Sequence, residues 1–86
     1  MIQKTVEILN RTGLHARPAA EFVEKASKFK SKITIEKDGK KADAKSILSV
    51  LGLGVGQGSK IKITAEGEDE QQAVEQLVEL LNSFGE

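Results

Sequence analysis

Lys32-Ile33-Thr34-Ile35-Glu36-Lys37-Asp38-Gly39-Lys40-Lys41-Ala42-Asp43-Ala44 is the stretch from which the fold can be read. Ile33 and Ile35 alternate with Lys32, Thr34 and Glu36, the period-two pattern of a half-buried strand. Asp38-Gly39 follows as a two-residue hairpin turn, because both residue types tolerate the positive φ that such turns demand. A short strand near residues 40–44 then runs back antiparallel to the one before it.

Upstream of this hairpin, Val6 and Ile8 alternate with Thr5 and Glu7, which predicts a strand over roughly residues 2–8. Asn10-Arg11-Thr12-Gly13 reads as a turn or loop. Ala19, Ala20, Phe22, Val23, Ala26 and Phe29 then fall at helical spacing. Pro18 suits the first turn, where its missing N–H costs nothing, so the helix starts near residue 15 or 16. Downstream, Ser46 reads as the N-cap of a short helix, Ile47 to Leu51, ended by Gly52. Ile61, Ile63 and Ala65 mark a fourth strand. Gly67-Glu68-Asp69-Glu70 opens a last helix, with its acids suited to the helix dipole. The apolar stripe of that helix is Ala73, Val74, Leu77, Val78, Leu80, Leu81 and Phe84.

The order is therefore β-α-β-β-α-β-α. Helical crossovers most simply join parallel strands, and the hairpin makes strands 2 and 3 antiparallel. Inserting strand 4 between strands 1 and 2 makes every neighbour antiparallel, in the order 1-4-2-3. Each strand has one apolar face, so the class is α+β: a four-stranded antiparallel sheet with three helices on one face and water on the other.

Composition narrows the function. The 86 residues read as one domain, 1–86. Without cysteine there is no disulfide and no thiolate metal site, and one histidine makes a metal centre improbable. Thirteen basic and thirteen acidic residues cancel, and there is no tryptophan or tyrosine, which argues against a nucleic-acid surface. The charged start, Met1 to Glu7, is unlike a signal peptide. The run from Ile47 to Val55 is far short of the ~20 apolar residues that span a bilayer. A soluble, cytoplasmic chain without membrane insertion is expected. The lysines at 25, 28, 30, 32, 37, 40, 41 and 45 read as a solvated face.

The sole histidine, His15, lies in Gly13-Leu14-His15-Ala16-Arg17-Pro18-Ala19-Ala20. A neutral imidazole nitrogen is a nucleophile for phosphorus. A helix N-terminus offers unpaired N–H groups and a positive dipole end. Arg17 adds a planar cation that grips phosphate oxygens in a bidentate fork. Nucleophile, anion donors and cation thus fall within three residues, and the same positive field stabilises a phosphorylated product. Gly13 lets the chain turn sharply just before them.

Gly13-Leu14-His15-Ala16-Arg17-Pro18-Ala19 resembles the phosphorylation-site signature of HPr, the histidine-containing phosphocarrier family of the bacterial phosphoenolpyruvate:sugar phosphotransferase system. The resemblance continues through Ala44-Lys45-Ser46-Ile47-Leu48 and Leu51-Gly52-Leu53-Gly54 to Ala65-Glu66-Gly67-Glu68-Asp69-Glu70. It implies an open-faced β-sandwich acting as a monomer without cofactor. It also implies that the Nδ1 (pros) nitrogen of His15 takes phosphate from enzyme I, itself charged by phosphoenolpyruvate, and passes it to IIA domains of sugar permeases. The protein would then be a carrier rather than an enzyme, with Arg17 stabilising the phosphoryl group.

For Ser46 the resemblance implies phosphorylation by an HPr kinase/phosphorylase and a co-repressor role with catabolite control protein A, as in Gram-positive relatives. Leu48 and Leu51 stand where those relatives commonly have methionines. Ile47, Leu48 and Leu51, with Ala16 and Ala20 of the first helix, form the expected docking surface for partners. Two other functions use the same fold: a carrier in a regulatory or nitrogen-linked phosphotransferase branch, and a non-catalytic interaction module of the kind that lacks the active histidine. Regulation of carbon catabolism belongs with the Ser46 reading.

Overall fold

A computed structural model describes residues 1–84. Its elements run β1 (Ile2–Glu7), α1 (Ala16–Ser27), β2 (Lys32–Lys37), β3 (Lys40–Asp43), α2 (Ile47–Gly52), β4 (Lys60–Glu66) and α3 (Glu70–Ser83). The sheet order is β1-β4-β2-β3, and all three pairings are antiparallel, as the topology argument required. Asp38 and Gly39 both take positive φ, 52° and 82°, and close the β2–β3 hairpin. The register sets Ile2, Val6, Ile33, Ile35, Ala42, Ile61, Ile63 and Ala65 on one side. Except for the half-buried Ile2, these are buried in a core with Phe22 of α1, Val50 of α2, and Val74 and Leu77 of α3. The opposite side carries Thr5, Lys62, Glu36 and Lys41 in one cross-strand row. Lys62 Nζ and Glu36 Oε1 there lie 3.7 Å apart.

The element ends differ from the sequence reading, for local reasons. Ile8 lies outside β1: its N–H donates to the Ser59 carbonyl at 2.8 Å and its carbonyl accepts from Gly58 N–H at 2.7 Å. α1 stops at Ser27 although the apolar spacing reaches Phe29, because Lys28 and Phe29 bond back only three residues, to Lys25 and Ala26. β3 ends at Asp43, whose carboxylate accepts the Lys45 N–H at 2.9 Å and turns the chain toward α2. α2 includes Gly52; the residue in left-handed conformation that follows it is Gly54, φ 67°.

α3 begins at Glu70, and the acids before it serve the tertiary structure. The Asp69 carboxylate accepts the N–H groups of Lys30 and Ser31, both at 2.9 Å, and the Ser31 hydroxyl. The Ser31 hydroxyl foremost, then the Lys30 N–H, hold this carboxyl below its usual range. Glu70 binds the N-terminal ammonium at 2.9 Å and the Gly67 N–H at 3.0 Å; these two, in that order, lower its pKa. Two of the lysines read as a solvated face are likewise anchors. Lys37 Nζ donates to the Gly54 carbonyl and Lys45 Nζ to the Phe29 carbonyl, each at 2.7 Å.

Candidate functional site

The site grows out of the Asn10–Gly13 turn. Asn10 is buried and its amide donates to the Gly13 carbonyl at 3.0 Å and to Thr12 Oγ1 at 3.2 Å. Gly13 N–H closes the turn on the Asn10 carbonyl. Gly13 has φ 61°, and a Cβ on it would lie 2.3 Å from the Val55 carbonyl oxygen and 2.6 Å from Gly56 Cα. Only glycine meets both demands. Leu14 is wholly buried, and its N–H donates to the same Val55 carbonyl at 3.0 Å. The chain therefore enters His15 from a rigid anchor laid on the Val55–Gly56 segment.

His15 is the N-cap residue of α1, in extended conformation (φ −126°, ψ 157°), exposed, with no side-chain cap bond. Its ring is thus at the positive end of the helix and not occupied in capping it. Ala16 follows with φ 51°, a left-handed conformation uncommon for a residue with a Cβ. Arg17 is exposed, and among the described residues its guanidinium has no hydrogen bond or ion pair. No acid stands in the first turn of α1, so nothing from the helix itself answers its dipole.

The Ser46 hydroxyl caps α2, accepting the Ser49 N–H at 3.3 Å. Helices α1 and α2 are in contact. Ala16 and Ala20 on α1 are exposed, as are Ile47, Leu48 and Leu51 on α2, at 38%, 79% and 36%. Of the eight residues singled out from sequence, four thus lie on α1 or its cap and four on α2 or its cap. Asn10, Val55 and Gly56 were not foreseen. The turn from Asn10 to Gly13 is legible in the sequence, but not that the Asn10 side chain is buried to brace it. Nothing local marks Val55 and Gly56 as the support beneath Gly13. Among the described residues no group of acids and histidine could hold a metal ion, and no helix is long and apolar enough to cross a membrane.

A family model described as the PTS HPr component phosphorylation site matches residues 2–83. The chain belongs to the HPr family. It is 54% identical to the HPr-like protein Crh of Halalkalibacterium halodurans over 78 residues, 91% of this chain and 93% of that one. It is 52% identical to phosphocarrier protein HPr of Haemophilus influenzae over 81 residues, 94% of this chain and 95% of that one. The crystal structure of HPr-C-His from Thermoanaerobacter tengcongensis superimposes with a TM-score of 0.95 at 57% identity, covering 96% and 93% of the two chains. The sheet order and the three helices are those of the HPr fold. HPr is a phosphocarrier family of the phosphotransferase system, and its HPr-like members named Crh connect it with catabolite repression.

Proposed function

We propose that this HPr-family chain is a phosphoryl carrier in which His15 receives a phosphoryl group from enzyme I and delivers it to IIA domains of sugar permeases in the cytoplasm. The observation that carries this is His15 itself: exposed, at the N-terminus of α1, with its ring free of capping and Arg17 two residues away. The lone pair on Nδ1 forms a bond to phosphorus as the bond between phosphorus and the donor atom breaks, the donor keeping that electron pair. The N–H groups of the first turn and the Arg17 guanidinium stabilise the equatorial oxygens, and transfer to IIA runs the same displacement in reverse. The chain acts as a single-domain monomer, supplying every residue of this site itself, and needs no cofactor.

The apolar surface of Ile47, Leu48 and Leu51, with Ala16 and Ala20, is suited to brief docking of successive partners. Ser46 lies beside it, and likeness to the HPr-like protein Crh supports a regulatory use: phosphorylation by an HPr kinase/phosphorylase and engagement of catabolite control protein A.

The test is incubation with enzyme I and phosphoenolpyruvate, followed by mass measurement. One acid-labile phosphoryl group on the wild type and none on His15→Ala is the expected result. Stoichiometric acid-labile phosphate on His15→Ala would exclude His15 as the acceptor.

A further inference from the structure

In β2 the alternation that buries Ile33 and Ile35 puts Lys37 on the same, helix-covered side, at the strand's end. There its ammonium donates to the Gly54 carbonyl at 2.7 Å. Gly54 is the left-handed residue just past α2, a helix with no basic residue in its last turn. Lys37 thus supplies, from another element, the cation that the negative end of α2 lacks. The next carbonyl along, that of Val55, is the one that accepts the Leu14 N–H and lies against Gly13.

We infer that Lys37 is a positioning residue for phosphoryl transfer: by fixing Gly54 it sets the Val55–Gly56 support on which Gly13 and Leu14 rest, and so the placement of His15. This rests on the reading of His15 as the acceptor. The ammonium touches neither His15 nor a partner's phosphate; it acts through one peptide unit of the support. Because reaction rates fall steeply with small misplacements of the reacting atom, a support shifted by a fraction of an ångström is felt in the transfer step rather than in docking.

Lys37→Met keeps the length of the side chain and removes the charge, whereas Lys37→Arg keeps a donor. Two readouts are needed: steady-state phosphorylation by enzyme I, and hydrogen exchange at the Leu14 amide compared with amides of β4. Lys37→Met is expected to lower kcat by about three- to tenfold with KM little changed, and to speed Leu14 exchange by a similar factor while β4 keeps its protection. Lys37→Arg should recover most of both. Wild-type kcat in Lys37→Met, an equal rise in exchange throughout the sheet, or a change confined to KM would each overturn the inference. A wild type that takes no phosphate would overturn the reading of His15 and this inference with it; wild-type phosphorylation with an unaltered Lys37→Met overturns Lys37 alone.

Discussion

Arg17 and Ala16 follow the proposed acceptor, and single substitutions test each of them. Arg17→Ala is expected to slow phosphoryl transfer by at least about tenfold while His15 still becomes phosphorylated on long incubation, the loss of one charged donor to a developing anion. Arg17→Lys should regain only part, since an ammonium lacks the planar fork. Equal rates in all three proteins would remove Arg17 from the mechanism. Ala16 has φ 51°, where a Cβ costs roughly 1 kcal/mol or more. Ala16→Gly should therefore leave thermal stability unchanged or raise it. Ala20→Gly, inside the helix and exposed, should cost about 1 kcal/mol, so that denaturant titration of the pair exposes the difference.

At the scale of elements, substitutions at the N-cap of α2 tell the capping role of Ser46 from the proposed regulatory one. Ser46→Ala removes the bond to the Ser49 N–H and should cost about 1 kcal/mol while remaining a good substrate for enzyme I. Ser46→Asp keeps a cap and adds charge at a helix N-terminus, so it should melt no lower than the wild type. If partners present acidic surfaces to Ile47, Leu48 and Leu51, that charge should raise KM for enzyme I at low ionic strength. Unchanged KM would leave Ser46 as a cap alone.

The elements themselves were legible because their signals are local. Ile33 and Ile35 betray a strand, Asp38-Gly39 a turn, and Phe22 and Ala26 a helix face, without reference to anything distant. Their ends were less so. α2 runs on to Gly52 and is followed by the left-handed Gly54, whose carbonyl is held by Lys37, and Asp69 reaches back to Lys30 and Ser31. Such partners are remote in sequence, and no periodicity reports them. His15 and Arg17 could be picked out from residue type and spacing, whereas Val55 and Gly56 became visible only once the chain had folded over Gly13.

For the molecule as a whole, Asp69 couples stability to pH. Its carboxyl is held below the usual range in the folded state, foremost by the Ser31 hydroxyl. The stabilisation it brings is present above the carboxylate pKa of the unfolded chain, about 4, and is lost as pH falls through the lower folded value. Asp69→Asn should be less stable than the wild type at pH 7 and should converge with it in acid. Parallel stability curves for the two proteins from pH 7 to pH 2 would show that the Asp69 contacts contribute nothing measurable.

One face of the sheet carries no helix, and Thr5 sits on it, exposed, in the row with Lys62 and Glu36. Since the chain has no cysteine, Thr5→Cys would give it a unique thiol on the side turned away from the helices. Coupled through that thiol to a bead or an electrode, the protein would stand with its helices toward the solution, a fixed relay over which enzyme I and acceptor domains could be passed in turn. Phosphate loading of the immobilised protein at the rate found in free solution is the expected outcome. A large loss of rate on immobilisation would show that partners also need the bare side of the sheet.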